Sequence, residues 1–257
     1  MRFFYVNPLQ RRADLFEDAY LGRRREWFAC ACCPPNIMRL VASLGHYVAT
    51  TDDDGLSVHQ YVPGTIRADG ITLAVETDYP WDGRVRFTVR DTPGGEWTLK
   101  LRVPAWSAPG ELTPNADGYA EIRRDWRTGD TFTLDLDMTP RLVLPHRKID
   151  ALRGCAAIEC GPLVYCFEQI DQDGELDDLA LTPDSRLRAV ERELPGVGRT
   201  VLIEADAVRL PPAPPDGLPY GTAPPESLPA PTTAVAVPYY QWDNRDGGVM
   251  RVWTPLA

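Results

Sequence analysis

From about Asp52 onward the apolar residues recur at every second position, in runs too short to form helices. A period of two sends alternate side chains to opposite faces of a strand, so each run can bury one face only against a second layer. The predicted strands are Leu56–Val62, Ile71–Thr77, Val85–Arg90, Trp97–Val103, Tyr119–Arg123, Thr131–Asp137 and Arg141–Leu144. Between them lie Asp53-Asp54-Gly55, Asp69-Gly70, Asp82-Gly83, Pro93-Gly94-Gly95 and Asp117-Gly118, the residues that tight hairpin turns require. Seven short strands at this spacing predict an antiparallel β-sandwich. Thr98–Val103 alternates strictly between polar and apolar, as in a sheet with one solvated face.

The region 146–257 is less regular. Ala156–Phe167 is apolar and broken by Gly161-Pro162, which predicts one or two buried strands. Thr200–Ala205, Ala234–Pro238 and Val249–Trp253 are further strand candidates. Between Pro211 and Pro231 nine of 21 residues are proline. Proline cannot donate to a sheet ladder, so this segment is expected to be an extended surface loop.

The first 50 residues follow a different rule. Ile37, Leu40, Val41 and Leu44 lie at i, i+3, i+4 and i+7, one face of a helix. Pro34 and Pro35 suit its first turn, where a missing N–H costs no hydrogen bond, and Gly45 is a candidate C-terminal cap. Cys32 and Cys33 therefore sit at a helix N-terminus. The expected division is a helical segment at 1–50, a β-sandwich at 51–145 and a second β-rich region at 146–257.

Composition closes off several function classes. Twenty-seven Lys and Arg against 37 Asp and Glu give a net charge of −10, which repels a phosphate backbone, so nucleic acid is not an expected partner. No apolar run reaches the ~18–20 residues of a membrane helix, and the N-terminus has no signal-peptide pattern. The sequence reads as a cytoplasmic protein without a membrane partner. Six cysteines in a chain of this length do not form the spaced framework of a disulfide-stapled fold.

Reactive groups are densest in Trp27-Phe28-Ala29-Cys30-Ala31-Cys32-Cys33-Pro34-Pro35-Asn36. Thiols at the positive end of a helix are expected to have lowered pKa values, and thiolates are soft ligands suited to zinc. A vicinal pair supplies only part of a tetrahedral shell. Cys30 is the nearest further donor, followed by His46 or Glu26. The competing reading of Cys32 and Cys33 is that of small buried apolar side chains, which the residue types alone leave open. Cys155, Cys160 and Cys166 have apolar neighbours and read as packing residues. His59 and His146 read as packed or exposed, and Trp81, Trp97, Trp106, Trp126 and Trp253 as inter-sheet packing rather than a sugar platform. The acidic run Asp171–Asp178 reads as a solvated loop.

Phe4-Tyr5-Val6-Asn7-Pro8-Leu9 and Trp27 through Leu40, with its Cys-Cys-Pro-Pro-Asn element, resemble glycoside hydrolase family 127, the β-L-arabinofuranosidases. The likeness continues through Leu99–Trp106, Gly161–Tyr165, Val237–Arg245 and Met250–Trp253. It implies a remnant of an (α/α)6 barrel followed by β-sandwich domains. It further implies a retaining hydrolase of small carbohydrates, with an arabinofuranoside as substrate. By the same resemblance Cys32 is the nucleophile and a zinc ligand, Cys33 a second zinc ligand, and Tyr5 a residue of the sugar pocket.

The family's other zinc ligands, in a Glu-x-Cys element, and its acid/base glutamate have no counterpart in these residues. The resemblance therefore implies the C-terminal part of an enzyme, inactive alone, with weak or no zinc and a missing N-terminal barrel half as partner. A helix of such a barrel packs on neighbours, so Ile37, Leu40, Val41 and Leu44 are expected to be exposed or to pack opportunistically. Each forfeits on the order of 1.5–3 kcal/mol of burial energy if left wet. Two other classes remain open: a non-catalytic carbohydrate-binding or accessory β-sandwich module, and a structural zinc-binding domain.

Overall fold

The computed structural model describes residues 2, 3, 5, 7–12, 23–107, 112–211, 228–245 and 248–257. The chain is mainly β and divides into two compact units, Met1–Phe28 with Thr139–Ala257, and Ala29–Met138. The boundary between the units falls after Phe28, inside the segment 1–50.

In the unit Ala29–Met138, two four-stranded sheets face each other across one apolar core. One sheet has the order Ala49–Asp52, Gly55–Val58, Glu96–Arg102, Tyr119–Asp125; the other has Gly64–Ala68, Ile71–Thr77, Arg84–Asp91, Thr131–Asp135. Alternation fills the space between them. Ile71, Leu73 and Val75 point inward from one strand and Val85, Phe87 and Val89 from the next, each at most 4% exposed. Trp97 and Trp126 stack at 5.2 Å within this core, and the Trp126 indole N–H donates to the Trp97 carbonyl at 3.0 Å. Asp69 and Gly70 both have positive φ and close the hairpin between Gly64–Ala68 and Ile71–Thr77, as their residue types require.

Sequence pattern missed two of these strands. Ala49–Asp52 and Gly64–Ala68 hold no fully buried residue, so their apolar periodicity is weak. The pairing of Gly55–Val58 with Glu96–Arg102 is parallel, the exception to the antiparallel rule in this unit. There Gly55 has φ +146, and a Cβ on it would meet the Thr98 carbonyl oxygen at 2.3 Å, so this approach requires glycine.

The other unit is built on a branched sheet whose main path runs Gln10–Arg11, Met250–Arg251, Leu163–Glu168, Ala230–Pro238, Gly198–Arg209, Leu179–Leu181. Ala156–Phe167 forms two strands, Cys155–Cys160 and Leu163–Glu168, turning at Gly161 with φ +52. The proline-rich segment expected as a loop at 211–231 is shorter at its end: Pro231 already pairs with Val208. The neighbouring strand on the other side pairs only from Ala236 on, so the N–H that Pro231 lacks interrupts no second ladder. Residues 212–227 of that segment lie outside the described residues.

Buried charge explains why the first residues join this unit. The Asp243 side chain is fully buried, and Arg23 Nε lies 3.1 Å from its Oδ1. The Arg24 backbone N–H donates to its Oδ2 at 2.6 Å. Tyr239 donates its hydroxyl to the Pro8 carbonyl at 2.8 Å. The acidic run expected to be solvated is partly drawn inward: Arg245 bonds Asp171 at 2.7 Å and Glu168 at 2.5 Å, because a buried guanidinium demands carboxylates. These bonds hold the Arg245 pKa above its ordinary value, with Asp171 the largest contributor.

The helix spans Cys33–Ser43 and buries no residue. Its C-cap is Leu44 rather than the expected Gly45, which lies inside a following 3-10 turn, Leu44–Tyr47. Ile37 and Val41 are 59% and 61% exposed. Leu99→Ala is expected to cost about 2–5 kcal/mol of unfolding free energy. Ile37→Ser is expected to change it by no more than about 0.5 kcal/mol, as on any exposed face. Urea denaturation followed by tryptophan fluorescence checks both.

Candidate active site

The helix start gathers three sulfur atoms. Cys32 occupies the N-cap of Cys33–Ser43 and makes no capping hydrogen bond with its side chain. Its Sγ lies 3.5 Å from that of Cys30 and 3.4 Å from that of Cys33, and all three sulfurs fall within 4.8 Å of one another. Cys32 and Cys33 are exposed and Cys30 is partly buried, so the reading as small buried apolar side chains does not hold for this segment. It does hold for Cys160 and Cys166, which are buried in apolar clusters.

Such a group could hold a metal ion. Tetrahedral thiolate–zinc bonds of about 2.3 Å place sulfurs about 3.8 Å apart, close to the separations found here. Among the described residues the group consists of the three cysteines; His46 does not join it, and Glu26 belongs to the other unit. Two expected donors are thus present together, with Cys30 as the third.

The expected lowering of the thiol pKa is reversed at Cys32. Its hydrogen bond with Cys33, and then that with Cys30, raises its pKa above the ordinary thiol value. Each neighbouring thiol stabilises the protonated form, and the ionised neighbours would repel a second thiolate. A cation among the sulfurs would remove both effects.

Tyr5 lies in the other unit, 40% exposed, with its ring 5.6 Å from that of Phe28. Trp97 and Trp126 are core residues, not a platform. His59 is pinned at both ring nitrogens, by Thr50 Oγ1 at 2.8 Å and the Tyr119 hydroxyl at 2.6 Å. That bridge escaped sequence reading because Tyr119 lies 60 residues from His59 along the chain.

Comparison with known proteins places these residues. The family model described as "Beta-L-arabinofuranosidase, GH127 catalytic domain" matches residues 1–46, the GH127 middle domain 55–138, and the "Glycoside hydrolase family 127 C-terminal domain" 140–255. This chain belongs to glycoside hydrolase family 127. Over 98% of its length this family 127 chain is 34% identical to the "Non-reducing end beta-L-arabinofuranosidase" of Bifidobacterium longum subsp. longum. Its fold superposes on a crystal structure of a GH127 β-L-arabinofuranosidase from Geobacillus stearothermophilus T6 with a TM-score of 0.86 and 36% identity, over 100% of this chain and 43% of that one. A solved GH127 β-arabinofuranosidase gives a TM-score of 0.80 at 29% identity, over 100% of this chain and 42% of that one. The chain spans 42% of the length of the Bifidobacterium relative.

Thiol chemistry tests the cluster directly. Alkylation of Cys32 is expected to rise with pH through a midpoint above that of an ordinary thiol, because less thiolate is present at any given pH. Cys33→Ala is expected to move the midpoint down, since the largest contribution to the raised pKa is then gone. Peptide mapping after iodoacetamide pulses at stepped pH reads both.

Proposed function

We propose that this chain carries the nucleophile segment of a retaining β-L-arabinofuranosidase-like active site. The observation that supports the reading best is the convergence of Cys30, Cys32 and Cys33 at the start of one helix. Family membership supplies the class of chemistry. The Cys32 sulfur attacks the anomeric carbon of an arabinofuranoside, and the bond to the leaving oxygen breaks as a carboxylic acid protonates that oxygen. Water then displaces the sulfur, with the carboxylate now the base, and configuration at the anomeric carbon is retained. Tyr5 lines the sugar pocket in this reading.

Cys32 and Cys33 would hold a zinc ion, with Cys30 in reach as a further donor. Zinc, when bound, stabilises a coordinated sulfur as thiolate at neutral pH. The thiols' own part is to present one exposed nucleophile at the helix start. The division into a catalytic-barrel remnant at 1–50, a sandwich at 51–145 and a second β-rich region at 146–257 belongs to the same proposal. So does a cytoplasmic location, which six free thiols favour. Among the described residues no helix is long and apolar enough to cross a membrane.

In this reading the acid/base carboxylate and the remaining zinc ligands come from a helical barrel outside these 257 residues. The metal-capable group described here contains only cysteines, which is consistent with that. The polypeptide alone is therefore expected to leave an aryl β-L-arabinofuranoside intact and to bind zinc weakly. Joined to a helical domain of the family, it is expected to hydrolyse the substrate and to lose turnover by several orders of magnitude on Cys32→Ala. Turnover by the 257-residue chain alone overturns the incompleteness. Unimpaired turnover of the Cys32→Ala form overturns the nucleophile.

A further inference from the structure

The sandwich unit carries a second chemical surface, separate in sequence from the cysteines. A cleft of about 360 Å3 opens beside the segment His59–Val62, with Tyr79, Pro80, Arg102 and Pro104 completing it. That volume is within the range of small-ligand sites. Its floor is rigid. Tyr61 is 5% exposed, its ring meets those of Tyr79 and Phe87 edge-on at 6.0 and 6.2 Å, and its hydroxyl donates to the Arg102 carbonyl at 2.5 Å. His59 forms a fixed wall, because Thr50 and Tyr119 occupy both its nitrogens.

Two polar residues of the lining have no side-chain partner among the described residues. Among the described residues no carboxylate lies within ion-pair distance of the Arg102 guanidinium, whereas Arg84, Arg123 and Arg124 in the same unit each have one. The Gln60 side-chain amide makes no hydrogen bond within the described residues and is exposed. Burial raises the phenol pKa values of Tyr61 and Tyr79, and the nearby Arg102 charge opposes the rise at both.

We propose that this cleft binds an acidic glycan, a uronate residue whose carboxylate pairs with Arg102, whose hydroxyls meet the Gln60 amide, and whose C–H face rests on Tyr79, Pro80 and Val62. Each part answers a property of the ligand. A guanidinium takes a carboxylate bidentately. An amide both donates and accepts, as a hydroxyl does. A half-buried tyrosine and a proline give the flat apolar surface that the ring's C–H face needs. The chain's net charge of −10 does not forbid an anion, because at physiological salt charges beyond about 8 Å are screened and the local cation decides. The proposal is independent of Cys32 and Cys33.

The test is a 1H–15N titration of the 257-residue chain with trigalacturonate, galactotriose and triglutamate. Trigalacturonate is expected to give saturable shifts confined to Gln60, Val62, Tyr79 and Arg102. Arg102→Gln is expected to weaken it about tenfold or more, with the rest of the spectrum unchanged, which shows the variant folded. Cys32→Ser/Cys33→Ser is expected to leave it alone, so this site and the cysteine reading fail separately. Absence of localised shifts with trigalacturonate overturns the site. Equal binding of galactotriose, or indifference to Arg102→Gln, overturns the carboxylate pairing. Equal binding of triglutamate overturns the sugar.

Discussion

A strand that turns every second side chain inward is stable only when another apolar layer meets it, and the organisation of this chain follows from where that layer exists. In the unit Ala29–Met138 it exists: two sheets close over Leu56, Leu73, Val85, Leu99 and Leu101, each without exposed surface. That core fixes the positions of Tyr61 and the end of the strand Glu96–Arg102, and with them the cleft. The helix Cys33–Ser43 has the apolar stripe but no layer over it, and all of its side chains remain partly or wholly exposed. Its importance is at its start, where it sets three sulfurs close together.

The sulfur cluster illustrates how chemistry depends on what stands nearest. Position at a helix N-terminus favours thiolate, but two neighbouring thiols outweigh it at Cys32 by stabilising the protonated form. With its thiolate disfavoured, Cys32 by itself is a poor nucleophile, whereas the three sulfurs together could hold a metal ion. A reading of Cys32 as nucleophile is therefore coherent only together with a cation among the sulfurs, and the nucleophile and metal assignments stand or fall together.

Buried charge performs a different task in the other unit. Asp243 is enclosed and takes Arg23 and the Arg24 amide as partners; Glu168 and Asp171 take Arg245. Each pair joins residues far apart in sequence, so these contacts specify where segments meet. The strand Gln10–Arg11 and the Pro8 carbonyl are tied to the same unit by Met250–Arg251 and Tyr239.

The sequence by itself determined the local rules. Period two marked the strands Ile71–Thr77 and Arg84–Asp91, Asp69-Gly70 marked a hairpin, period 3.6 with two early prolines marked the helix, and the Cys-Cys-Pro-Pro-Asn element marked the family. Those are properties of neighbouring residues, and neighbours are what a sequence displays. Ala49–Asp52 and Gly64–Ala68 stayed hidden because strands without fully buried residues carry little apolar signal. Only the tertiary structure decided the parallel pairing of Gly55–Val58, the split after Phe28, the inward turn of Asp171 and the meeting of Tyr61, Tyr79 and Arg102 around one cleft. Each of these depends on groups brought together across tens of residues, and burial and charge pairing act on distance in space, which the order of residues along the chain does not record.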